Sequence, residues 1–386
     1  MINQAEIYLD FAATAPLHPA AASAVARGQS LVGNPSSRHE EGRVAAEALD
    51  TARTSVARLL GVTPPEVVFT SGGSESDALA LWGTFAARRF SGHLVTTSIE
   101  HSAVLENARA LADFGVAVTV IDPGPSGHVD AADIGAAIRP DTVLVSVMHA
   151  NNETGAIQPI DQIVALTRRA GIAMHTDAVH TAGKLDLGSL GATMVSVSAH
   201  KFGGPRGIGA LAVRAGHRLA PLIRGGSQEG ALRAGTENVA AAMGMAAAVE
   251  VCLGRLTPGY RRGMRQRRRR LVSGLQEAGG VALNVTGPVL DETVSVRFEG
   301  VRGDTLADVL DLHGIYVSTG SACHAGQDSV SHVLTAQGLG EDAARSAVRF
   351  SLGPGVSGED IDRVVSVTTD AVHRLRRTAG VVGAGR

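Results

Sequence analysis

The stretch VVFTSGGSESDALA, residues 67–80, joins a β-branched run to a helical pattern through a turn of serine and glycine. Val67 to Thr70 suit a buried strand, and the apolar positions of ESDALALWGTFAARR, 75–89, recur at helical spacing. A strand, a small-residue turn and a helix are the opening of a βαβ unit. Such a turn leaves backbone N–H groups free to face a phosphate at a helix N-terminus, although glycine and serine also make ordinary loops and caps.

The same alternation continues from about residue 65 to 215. Strands are expected at EVVFT, HLVTT, VAVTVID, TVLVSVMH, IAMHTD, MVSVSA and GALAV, with helices between them such as SAVLENARALADFG and IDQIVALTRRAG, each closing on glycine. The fold class is therefore α/β, with a mainly parallel seven-stranded sheet between helices. After the basic run YRRGMRQRRRR at 260–270 the pattern changes. ETVSVRFEG, IYVST and AVRFSLG read as strands, and DTLADVLDLHG and SGEDIDRVVSVTTDAVHRLRR as helices, so a smaller α+β domain with its own sheet is expected. The boundaries expected are 15–255 for the large domain, and 1–14 with 256–386 for the small one. Only the tail AGVVGAGR reads as disordered.

With 35 basic and 37 acidic residues, a net charge of −2 gives no electrostatic reason to expect nucleic acid or a membrane surface as partner. On a helix the basic run would spread around the cylinder, giving a solvated or partner-facing surface. The alanine-rich stretch before it is too short to span a membrane and reads as a buried helix. There are two cysteines. Cys252, in VAAAMGMAAAVEVCLG, reads as a small buried hydrophobe. Cys323, in STGSACHAGQDS, has no evident partner and lies among small residues. Two cysteines and a start without a basic flank and apolar run suggest a cytoplasmic protein.

Ligands of a parallel α/β sheet bind beyond the carboxyl ends of its strands. There the sequence places Gly73 and Ser74, then His101, Asn152, Asp177, His180, Ser198, His200 and Lys201. Singly these have plain alternatives: a helix cap, an ion pair, a solvated lysine. Together, a lysine, a carboxylate, an imidazole and a phosphate cradle are what pyridoxal phosphate chemistry requires. His175, Asp177 and His180 lack an H-E-x-x-H or paired CxxC context, so no metal site is expected. The G-x-S-x-G elbow of a Ser/His/Asp hydrolase is absent from TSGGSES.

On these residues the chain resembles the cysteine desulfurases of the NifS/IscS type, within the class V aminotransferases of the type I pyridoxal phosphate fold. The likeness runs from YLDFAATAP to VRFSLGPGVSGEDID through GNPSSRH, EHSAVL, SVMHANNETG, HTDAVHTAGK, SAHKFGGPRGIGAL, LRAGTENV and STGSAC. The resemblance implies that pyridoxal 5'-phosphate is the cofactor, that Lys201 binds it covalently, that Asp177 pairs with its ring nitrogen and that His101 stacks on the ring and assists proton transfer. It implies that Asn152 and His180 sit near the ring's phenolic side, that Gly73, Ser74, Ser198 and His200 hold the phosphate, and that Thr236 reaches the phosphate of the partner subunit in a homodimer. Asn34 and Arg349, with Asn152 nearby, are implied to bind the substrate, L-cysteine. Cys323 is implied to take its sulfur as a persulfide, leaving L-alanine, and to pass it to an acceptor protein. Two other readings stay open: a class V aminotransferase or Cys/selenocysteine lyase that does not use Cys323, and a non-catalytic scaffold binding a sulfur acceptor. The chain departs from the family at Ser74 for threonine, His180 for glutamine and Ala199 for glycine, and at His324 for a small polar residue.

Overall fold

The computed structural model describes residues 6–320 and 330–383. Cys323 and His324 lie outside the described residues.

All seven strands expected in the first two thirds of the chain form one sheet. They are β2 (Val67–Thr70), β3 (His93–Thr97), β4 (Ala117–Ile121), β5 (Thr142–Ser146), β6 (Ala173–Asp177), β7 (Met194–Ser198) and β8 (Gly209–Val213), in spatial order β2-β8-β7-β6-β5-β3-β4. β8 is antiparallel to both neighbours, β2 and β7, and the remaining pairs are parallel. Successive residues of a strand feed opposite cores, as a period of two requires. Val67, Phe69, Val195, Val197, Ala210 and Ala212 pack with α2 (Glu40–Leu60), α6 (Ile160–Ala170) and α7 (Val239–Arg255). Val68, Met194, Leu211 and Val213 face the other way, into a core with α3 (Gly73–Ala86) and α4 (Ser102–Asp113).

The alanine-rich α7 is largely buried, and Cys252 in it is 3% exposed. Its small residues allow a close approach by α1 (Pro19–Gln29): a Cβ on Gly28 would stand 2.5 Å from Ala240 Cα. No single helix among the described residues is long and apolar enough to cross a membrane.

A second core lies around a three-stranded antiparallel sheet in the order β12-β10-β9, formed by β9 (Val281–Leu283), β10 (Thr293–Phe298) and β12 (Ala347–Ser351). Helices α8 (Pro258–Gln276), α9 (Gly303–Leu312) and α12 (Gly358–Gly383) supply Met264, Leu271, Leu306, Leu310, Ile361 and Val364 to it. Three expectations are corrected here. IYVST yields only the two-residue β11 (Ile315–Tyr316), which pairs with the equally short β1 (Ile7–Tyr8), and it meets the small sheet through an isolated bridge from Ser318 to Arg349 of β12. The third strand of that sheet is β9, too short to show a period. The tail is helical as far as Gly383, because no proline stops α12 at Arg377. The basic α8 exposes Arg262, Arg265, Arg269 and Arg270, pairs Arg265 with Asp291 and Arg270 with Asp362, and turns the half-buried Arg268 onto the Thr293 carbonyl of β10 at 3.0 Å.

Candidate functional site

The carboxyl ends of β2, β3, β5, β6 and β7 open on one cavity of about 270 Å³. It brings together Gly73, Ser74, His101, Asn152, Asp177, His180, Ser198, His200, Lys201 and Arg349, with Ala12 and Ala13 from the N-terminal segment and Asp77 from α3. Ten of the residues singled out in the sequence thus converge. Asn34 and Thr236 do not: both are exposed and neither lines this cavity.

At one end, the turn Ser71–Gly72 leads into α3, whose N-terminus has no side-chain cap at Gly72. The backbone is crowded here. A Cβ on Gly73 would stand 2.7 Å from Val179 Cγ2, and one on Gly209 would meet the Gly72 carbonyl carbon at 2.7 Å. Ser198, at the end of β7, lines the same end. The uncapped N–H groups and the helix dipole suit an anion, and Ser74 and Ser198 add hydroxyls. His200 joins its Nδ1 to Thr14 Oγ1 at 3.1 Å, and burial, with Lys201 beside it, pushes its pKa down to about 4. It is therefore a neutral donor or acceptor at neutral pH.

Lys201 follows in the short turn Ala199–Lys201 between β7 and β8, and its Nζ donates to the carbonyls of Ala12 at 2.7 Å and Ala13 at 2.9 Å. That clamp aims the amine across the cavity. Asp177 ends β6, is buried, and accepts the Val179 N–H on Oδ1 at 2.8 Å. Burial raises its pKa, while His101, that N–H and Lys201 oppose the rise. His101 caps α4, its Nδ1 accepting the Ala103 N–H at 3.1 Å, so in the neutral ring Nε2 carries the proton. Burial lowers its pKa.

His180 is 4% exposed, and neither ring nitrogen has a hydrogen-bond partner among the described residues. Burial, then the charges of Lys184, Lys201 and Arg349, hold its pKa well below the usual value. A buried imidazole with two vacant nitrogens on a cavity wall is built for something that enters the cavity. Arg349, 3% exposed, donates to Asn152 O and to Asp10 Oδ1, both at 2.7 Å, and its Nε has no partner among the described residues. The set could hold pyridoxal phosphate: an amine, a carboxylate, an imidazole beside that carboxylate and an uncapped helix end.

Sequence reasoning missed Asp77, Lys184 and the carbonyl clamp of Ala12 and Ala13. Lys184 donates to His180 O at 2.8 Å, and burial lowers its pKa to about 8. An aspartate inside the apolar run of α3 was the one readable signal.

Both described flanks of the segment that carries Cys323 are fastened beside the cavity. Ser318 and Arg349 exchange backbone hydrogen bonds of 3.1 and 2.6 Å. On the other side, Ser331 Oγ donates to Glu153 Oε2 at 2.5 Å and His332 Nε2 meets the Glu100 carbonyl, next to His101, at 3.0 Å.

A sheet of this topology with a lysine, a carboxylate and an imidazole at its carboxyl edge is the architecture of the aminotransferase-like enzymes. The model of the family described as Aminotransferase class-V matches residues 7–364, and the chain belongs to that family. An IscS-like cysteine desulfurase of Mycobacterium tuberculosis (strain ATCC 25618 / H37Rv) is 43% identical over 392 residues, 98% of this chain and 100% of that protein. A solved NifS-like protein matches with a TM-score of 0.89 at 34% identity, covering 96% of this chain and 100% of its own. SspA, solved in complex with cysteine, matches with a TM-score of 0.80 at 37% identity over 90% of this chain and 99% of its own.

Proposed function

We propose that this chain is a pyridoxal phosphate-dependent cysteine desulfurase that converts L-cysteine to L-alanine and passes the sulfur through Cys323 to an acceptor protein. The observation that carries the reading is the meeting of Lys201, Asp177, His101 and Arg349 on one cavity, in a chain similar over its length to desulfurases. The cofactor, when bound, supplies a ring that draws electrons from the substrate's Cα.

The chain's own residues do the rest. Gly73, Ser74, Ser198 and His200 would hold the phosphate, and Asp177 would meet the ring nitrogen as a carboxylate. Asn152 and His180 would stand toward the ring's phenolic side, where His180 replaces the glutamine of the family pattern and would offer one donor and one acceptor. Lys201 would hold the cofactor covalently, and the Ala12 and Ala13 carbonyls position its amine. Arg349 binds the substrate carboxylate through its fork. His101, kept neutral by burial, is ready to take a proton. Met148, Ala150 and Val179 exclude water from the wall. Cys323 as thiolate is the sulfur acceptor, and the anchoring of Ser318, Ser331 and His332 beside the cavity supports that role.

We also propose that the active form is a homodimer in the cytoplasm, the chain dividing into a large unit, 15–255, and a small one made of 1–14 and 256–386. Thr236 then serves the partner's phosphate site, and Asn34 the substrate. Both are exposed, as residues serving a second copy of the chain would be.

The test is alanine production by purified, cofactor-loaded protein given L-cysteine and a thiol reductant. Wild type should make alanine and load sulfur on Cys323; Cys323→Ala should lose transfer to thiol acceptors. No alanine from wild type sinks the desulfurase reading, and full sulfur transfer by Cys323→Ala transfers the protein to the lyases that do without that thiol. Sedimentation of a monomer at working concentration would remove the dimer.

A further inference from the structure

Asp77 has no place in the chemistry above. It lies four residues into α3, its side chain is 2% exposed, and it lines the cavity with Asp177. Its Oδ1 has no hydrogen-bond partner among the described residues. The groups that face it are Asp177 and His175 from β6, Ser196 from β7 and Glu100 from the turn after β3.

None of these brings a positive charge. His175 Nε2 lies 3.6 Å from Asp77 Oδ1, but the ring is fully buried, its nitrogens engage Ser146 Oγ at 2.8 Å and Ser196 Oγ at 2.9 Å, and burial takes its pKa to about 3. Two carboxyl groups buried together, without a cation between them, do not both ionise readily. Asp177 has the better claim to the charge, with Lys201, His101 and the Val179 N–H to stabilise it, whereas Asp77 has only the Ser196 hydroxyl. Burial, and then the Asp177 charge, push the Asp77 carboxyl well above the usual carboxylate range.

We propose that Asp77 is a positioning residue that stands beside Asp177 as an uncharged carboxylic acid, so that the pair presents one negative charge to the cavity and fixes it on Asp177. The proposal rests on the reading of the cavity given above only for the identity of the group that meets this charge, a protonated pyridine nitrogen. A second carboxylate there would set two like charges against one partner. The fold carries the cost of Asp77 as a buried acid that must lose its proton whenever the chain unfolds at neutral pH.

Two measurements test this on the full-length protein stripped of cofactor. The first is urea unfolding between about pH 6 and pH 8. Folded wild type keeps the Asp77 proton and the unfolded chain releases it, so stability falls as pH rises. Asp77→Asn has no such proton, and its unfolding constant should change about tenfold less per pH unit. The second is pyridoxal phosphate affinity near pH 7, where Asn replaces a neutral acid and the dissociation constant should stay within about threefold. Equal pH slopes, or an affinity loss of about tenfold or more, the equivalent of one pKa unit, overturns the proposal. Asp77→Ser, smaller and equally neutral, repeats the slope measurement if the asparagine variant does not fold. Neither readout needs turnover, so loss of the desulfurase reading would leave this result standing, and the reverse holds too.

Discussion

Adding one methyl group at Gly73 should weaken cofactor binding without unfolding the protein. The new Cβ would stand 2.7 Å from Val179 Cγ2, whereas its next contacts, Ser198 Cβ at 3.6 Å and Val179 Cγ1 at 3.7 Å, are ordinary. One atom is therefore in the way, about 1 Å inside normal carbon contact. Valine is stiff at χ1, so relief must come from the backbone of residues 177–180 or from the start of α3. Both carry groups of the site: Asp177 accepts the Val179 N–H at 2.8 Å, and the first N–H groups of α3 face the proposed phosphate position. Overpacking of this kind costs about 1–3 kcal/mol. Half-burial of Val179 places this case near 1–2 kcal/mol, which is about 5- to 30-fold in the dissociation constant of pyridoxal phosphate. Equilibrium titration of stripped Gly73→Ala measures it, with urea unfolding as the check on the fold. Val179→Ala removes the obstructing atom, so the double variant should regain most of the affinity. Unchanged binding by Gly73→Ala, or a double variant no better than the single one, refutes the reasoning.

Three other outcomes follow from the geometry. Glu229→Gln should lower stability by about 3 kcal/mol in urea unfolding, because the buried Glu229 accepts the Phe69 N–H at 2.9 Å and both arms of Arg53 at 2.6 and 2.8 Å, and its loss strands the Arg53 charge; an unmoved midpoint contradicts this. Arg349→Lys keeps the charge but loses the fork that holds Asn152 O and Asp10, so the KM for L-cysteine in the alanine assay should rise by about tenfold or more. Glu100, wholly buried, has its carboxyl pushed up from 4.5 to about 8, mainly by burial. Its contribution to stability is complete below about pH 4.5 and is lost as pH rises to about 8, near 1.4 kcal/mol per unit. Glu100→Gln should flatten that part of the unfolding pH profile, and an unchanged slope counts against a protonated Glu100.

The large sheet was legible because each strand is a β-branched run bounded by glycine or a helical pattern, and its site residues were legible because they fall directly after those runs. Lys201 and Asp177 could be named without knowing the strand order. The order itself, with antiparallel β8 between β2 and β7, depends on the short turn at 199–208, whose geometry no periodicity encodes. β1 and β11 are pairs of residues, and β9 has three, below the length at which alternation can be seen. The clamp of Ala12 and Ala13 on Lys201 uses carbonyl groups, which every residue possesses, so no side-chain pattern could announce it. Asp77 stands plainly inside ESDALALWGTFA, but helical spacing alone does not say that its face is buried. Only burial of that face makes it conspicuous.

The placement of β8 sets an order in time. β2 and β8 are partners in the sheet although residues 71–208 lie between them, and the N-terminal carbonyls that hold Lys201 come from the beginning of the chain. The wall with Gly73 and the wall with Lys201 therefore face each other only after the most sequence-distant pairing of the seven-stranded sheet has formed, a late event wherever loop closure opposes it. During synthesis the nascent chain holds α3 and its vacant helix end long before it owns the lysine. Cofactor capture would then mark the closing of the seven-stranded sheet, and binding of pyridoxal phosphate would serve as a clock for that step.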